Sequence, residues 1–144
     1  MRTVLAGFVL AAAPAWAHHA TTAEFDVKRL IVLQGTIKKI EWINPHAWLY
    51  LDAKNSDGSI TNWQIEGASM SAYAIRKFPK ESVTAGMEIS ITAYPARNGG
   101  NMADGGTITL KNGTRMFFGG SAPVDGLDKD GRPCILHQGI PGCK

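Results

Sequence analysis

The sequence predicts a mainly β domain, a five-stranded barrel with one short helix, and three observations carry that expectation. Side chains alternate from His46 to Ala53, turn residues separate successive apolar runs, and one stretch with helical spacing falls between the third and fourth runs. Three strands, a helix and two closing strands follow the order of the OB fold, so the expected architecture is OB-like. An open β-sandwich has a similar strand count and lacks a reason for the lone helix in that slot.

Leu30 to Ala53 is rich in β-branched, aromatic and apolar residues and is broken at Gly35 and at Asn44-Pro45, which reads as two strands joined by a turn. In the second strand His46, Trp48, Tyr50 and Asp52 alternate with Ala47, Leu49, Leu51 and Ala53, so the two sets face opposite sides of a sheet. Asn55-Ser56-Asp57-Gly58 is a turn, and Ser59 to Glu66 returns as the third strand of a hairpin. From Ser69 to Phe78 the pattern changes: Ser69 can cap, Met70, Tyr73, Ala74 and Phe78 recur at helical spacing, and Pro79 stops the run. Met87 to Tyr94 is again a strand, Arg97 to Gly106 reads as a Gly- and Asn-rich loop, and Thr107–Leu110 with Thr114–Phe118 flank Lys111-Asn112-Gly113 as a last hairpin. The pattern sends Leu49, Leu51, Ile65, Ile89 and Ile91 into one core, with Trp63 also inward.

The ends of the chain carry different signals. Residues 1–17 read as a secretory signal: Arg2 is the basic start, Val4 to Ala13 is an apolar run too short to span a bilayer, and Ala15-Trp16-Ala17 fits a small-x-small cleavage site. Cleavage there makes His18 the new amino terminus, the OB-like domain residues 18–118, and the protein periplasmic or secreted with no transmembrane anchor. Residues 119–144 turn to Gly, Pro and Asp and read as an irregular tail. Its Cys134 and Cys143, an even pair in an oxidising compartment, are expected to form a disulfide; a metal site with His137 between the thiols is the disfavoured alternative. The 15 basic and 12 acidic side chains leave a small net charge of +3 with no long run of like charge, which does not suggest nucleic-acid binding.

The pattern His18-His19, Phe25-Asp26, Leu33-x-Gly35-Thr36, Trp42-x-Asn44-Pro45-His46, Trp63-x-x-Glu66 and Tyr94-Pro95-Ala96-Arg97 resembles a family of small exported bacterial proteins classed as a domain of unknown function. The run from Trp42 to Trp48 is its most specific element, and the cysteine-bearing end lies outside it. The resemblance implies export and a compact β domain, and it implies no reaction.

Standard catalytic signatures are missing: there is no G-x-S-x-G, H-E-x-x-H, C-x-x-C or phosphate-binding G-x-x-x-x-G-K. The leading reading is a non-catalytic binding protein, and copper-dependent redox chemistry at an N-terminal histidine site is the enzymatic alternative. The histidines are the candidates for chemistry. After cleavage His18 offers an amine and an imidazole from one residue, an N,N chelate suited to Cu(II), and His19 or His46 can complete a nitrogen donor set. The plainer readings are two solvated terminal histidines and a His46 that caps the Asn44-Pro45 turn. Trp42, Trp48 and Tyr50 lie on strands that OB folds use for ligands, which marks them, with Glu66, as a candidate ligand or partner face. Glu66 itself reads either as a ligand, as a buried acid paired with His46 or Arg76, or most simply as a surface carboxylate. The alternative to a copper-binding protein is an accessory subunit that docks to an envelope complex through this aromatic face.

Overall fold

A computed structural model describes residues 21–120. His18, His19, His137, the signal segment and the Cys134–Cys143 pair lie outside the described residues. The chain forms α1 (Thr21–Glu24), β1 (Ile31–Glu41), β2 (Trp48–Lys54), β3 (Ile60–Glu66), α2 (Met70–Arg76), a 3-10 turn (Lys80–Ser82), β4 (Glu88–Pro95), β5 (Met102–Leu110) and β6 (Arg115–Phe117).

The strands lie in the order β3-β2-β1-β4-β5-β6, and a further pairing of β3 with β5 closes the first five into a barrel. All pairings are antiparallel except β3 with β5, which is parallel. β1 belongs to both halves of the barrel, pairing with β4 through Thr36 and with β2 from Gly35 onward. It turns this corner at Gly35, where a Cβ would collide with the carbonyl oxygen of Asp52. No other residue fits there without parting the strands.

The helix forms where its pattern places it. Ser69 Oγ accepts from Ala72 N at 3.2 Å, Lys77 closes the far end in the left-handed region at φ 52°, and Pro79 follows. α2 turns Tyr73 inward, where its hydroxyl donates to Phe118 O at 2.5 Å and accepts from Ala68 N at 2.9 Å. The ring stacks within an aromatic group of Trp42, Phe78 and Phe118 that plugs one end of the barrel.

The core contains the expected residues, since Leu49, Leu51, Ile65, Ile89 and Ile91 are all buried, joined by Ile37 and Ile108. Trp63 is partly buried against them. Two local expectations need correction. The segment read as a loop from Arg97 to Gly106 is strand from Met102 onward. Its glycines are there for close approach: a Cβ on Gly105 would lie 2.8 Å from Phe118 and 2.9 Å from Glu66 O. The short α1 was also not expected, because tertiary backbone bonds rather than its own four residues hold it.

Leu49→Ala or Ile65→Ala should lower the unfolding free energy by about 2–5 kcal/mol. The exposed Ile60→Ala should change it by no more than about 0.5 kcal/mol. Urea denaturation of the three variants checks this, and equal losses would mean that the strand faces are assigned wrongly.

Candidate functional site

Neighbours in register place Glu41, Trp48, Glu66, Asp104 and Tyr94 in one row across β1, β2, β3, β5 and β4. Their chain neighbours Leu49, Ile65, Ala103 and Ala93 are in the core, so this row lies on the outer face of the barrel. His46, two residues before Trp48, leans onto the same row, and its Nδ1 forms an ion-pair contact with Glu66 Oε1. The Glu66 side chain is only 16% exposed and that of His46 37%. Glu66 is thus a half-buried acid with an imidazole partner rather than a surface carboxylate, and His46 engages that acid.

Asp104 lies beside Glu66 and is 5% exposed. Burial is the main reason its carboxyl is pushed up to about 7; the neighbouring Glu66 carboxylate adds to the rise, and a hydrogen bond from Gly120 N–H opposes it. Burial also raises Glu66, against the attraction of His46 and with added repulsion from Glu24. Burial outweighs the imidazole there. Tyr94, opposite Asp104, is raised by burial and by the same carboxyl. Two acids side by side in a low-dielectric setting cannot both ionise at little cost, so a proton or a nearby positive charge stabilises the pair.

The entering chain is fastened beside this cluster. Phe25 is buried and bridges Ala96, Asp26 N donates to Pro95 O at 2.9 Å, and Arg97 N donates to Glu24 O at 2.9 Å. Arg97 Nε also donates to Thr22 O at 3.1 Å. Thr22, three residues after His19, is therefore held beside the cluster where Glu24 acts on Glu66.

Of the expected aromatic face, Trp48 and Tyr50 do point outward, and Tyr50 Oη donates to Glu41 at 2.9 Å with Lys39 over its ring. Trp42 does not belong to that face. It packs on Tyr73, with ring centroids 5.4 Å apart, because β1 ends there and the helix needs a partner. Neither Asp104 nor Glu24 is marked by the sequence, and Arg97 is marked only as part of the Tyr94-Pro95-Ala96-Arg97 pattern. Asp104 sits among Gly and Ala residues that imitate a loop, so only the β3–β5 pairing reveals its burial. Among the described residues no group of three or more His, Cys, Asp or Glu is arranged to hold a metal ion. No described helix is long and apolar enough to cross a membrane.

These features define a small OB-like β-barrel that carries an imidazole against half-buried Glu66, with buried Asp104 beside that acid, at the edge where its amino-terminal segment docks. A family model of unknown function, DUF6152, matches residues 7–106, and the chain belongs to that family. No curated protein and no solved structure matches the chain.

Because the folded Asp104 carboxyl is raised, the native state holds its proton to a higher pH than the unfolded chain. That contribution to stability is full below the unfolded value near 4 and is lost as pH rises through about 7. Urea titrations across this window should show stability falling, by up to about 1.4 kcal/mol per pH unit. Asp104→Asn should flatten the fall, and an unchanged slope in the variant would assign it to another group.

Proposed function

We propose that this is an exported, non-catalytic binding protein that holds Cu(II) through its processed amino terminus, with His46 as the donor supplied by the fold. The observation that carries the reading is the His46–Glu66 pair. A carboxylate that accepts a hydrogen bond from Nδ1–H fixes the ring and leaves Nε2 with its lone pair, which is how metal-binding histidines are commonly oriented. Cleavage after Ala17 gives His18 an amine beside its imidazole, and His19 lies three residues before the docked Thr22. In this reading the terminal histidines reach the end of the barrel that carries His46. A donor set made of nitrogen favours copper over other divalent ions of the first row.

In this reading the protein works in the periplasm or outside the cell, and Cys134 and Cys143 close a disulfide in the tail. The nearby acids supply negative charge that offsets the cation. An accessory subunit docking through the β face is the second reading, and the outward placement of Trp48 and Tyr50 favours it. That reading requires no affinity for metal.

Calorimetric titration of a chain beginning at His18 should show tighter binding of Cu(II) than of Zn(II). Binding should weaken as pH falls, because nitrogen donors must be free of protons to hold the metal. An added Gly-Ser before His18 moves the amine away and should remove most of the affinity. His46→Ala should weaken it further, and Glu66→Ala should cost about 10–100-fold by releasing the ring. Equal titrations for the native and extended chains would refute the terminal site and leave the docking reading.

A further inference from the structure

Among the described large apolar side chains, Ile75 on α2 is the most exposed. Tyr73 faces the core, and Ile75, two residues on and about 200° around the helix, points away from it with 83% of its surface open. Ile43, which follows Trp42 of the aromatic plug, is 48% exposed at the same end of the barrel. A single exposed isoleucine is ordinary on a protein surface. The charges around this one set it apart.

The chain turns back just after Ile75 and gathers cations beside it. Lys77 closes the helix in the left-handed region, Phe78 N donates to Tyr73 O at 3.0 Å, and the Phe78 ring packs on Tyr73 and Trp42 with centroids 4.8 Å and 5.9 Å away. This fold-back sets Lys80 Nζ 6.0 Å over the Trp42 ring. The open groove beside it, about 420 Å³, is lined by Lys38, Lys39, Trp42, Lys80 and Glu81 among others. Lys39 is matched by Glu41, but Lys38, Lys77 and Lys80 are exposed and have no ion-pair partner among the described residues. From Ala74 to Lys80 the sequence holds three basic side chains and no acid, and Glu81 is the only acid that lines the groove. Lysine stems can lie along apolar surface while their ammonium groups reach outward.

We infer that the α2 end of the barrel docks on a bilayer surface that carries anionic lipid, with Ile75 entering the headgroup–acyl boundary and Lys38, Lys77 and Lys80 on lipid phosphates. Charge complementarity selects this partner, because a headgroup layer offers phosphates at many points that a basic rim around an apolar side chain meets together. One isoleucine is too little to hold alone, and the attraction of three lysines is screened by salt, so the contact is weak and reversible. It depends on neither the copper site nor the aromatic β face. A polyanion in solution is the rival partner.

Sedimentation with sucrose-loaded vesicles tests this on the chain beginning at His18, which lacks the apolar segment 1–17. The chain should bind phosphatidylcholine vesicles that contain one third phosphatidylglycerol and should not bind pure phosphatidylcholine, and added salt should release it. Lys77→Gln and Lys80→Gln should each weaken partition about fivefold. Ile75→Ser should weaken it about tenfold. Ile60→Ser, a change at the 56% exposed isoleucine of β3, should leave it unaltered. Equal binding to both vesicles, binding to neither, or equal losses from Ile75→Ser and Ile60→Ser would each overturn the proposal. Undiminished binding of Ile75→Ser, with release by soluble polyphosphate, would overturn it too and assign the lysines to a polyanion in solution.

Discussion

The parallel pairing of β3 with β5, three residue pairs from Gln64–Met102 to Glu66–Asp104, is the constraint on which the rest depends. Without it the sheet would remain open and the side chains around Ile65 and Ala103 would face solvent. With it the barrel closes over an apolar core, and the alternation of each strand forces Glu66 and Asp104 together on the outside. The same register that seals the core therefore assembles the acid pair. On the edge away from β4, β5 serves two partners in sequence, β3 with its first half and β6 with its second, and Gly105 and Gly106 let neighbouring groups approach the backbone between them.

Electrostatics follows from that placement. A carboxylate loses hydration when covered, and Asp104 is covered by the barrel wall and by the backbone at Gly120. Glu66 is covered less and has an imidazole partner, yet burial still governs its protonation. The cluster is thus short of positive charge, and the segment that enters at Thr21 is fastened at its rim by Arg97. A cationic group delivered by that segment would lower the energy of both acids. The copper reading and the acid cluster are in this way one proposal rather than two.

Much of the fold was legible in the sequence because period-two alternation and a capped helix are local signals. The strand from Trp48 to Lys54 declares its faces without reference to any partner, and Ser69 and Pro79 bracket α2. What was not legible depends on pairing between distant segments. Glu66 and Asp104 lie 38 positions apart in the chain, and neither position hints at the other. Asp104 falls in a stretch that reads as a loop, because glycine in a buried strand and glycine in a loop are alike in composition. Membership of the first strands points Trp42 to the ligand face, whereas the end of β1 and its packing on Tyr73 decide its position. His46 was recognised as fixed by its turn; its partner could be named only among alternatives.

The most direct test of the central claim is the number of imidazoles on the metal. Pulsed electron paramagnetic resonance of the Cu(II)-loaded chain beginning at His18, compared with its His46→Ala variant, reads that number from the remote ring nitrogens. The imidazole held by Glu66 should account for one coordinated ring, so the variant should show one fewer with the terminal donors retained. Identical spectra from the two proteins would mean that copper is held by the terminus alone and that the His46–Glu66 pair serves only the fold.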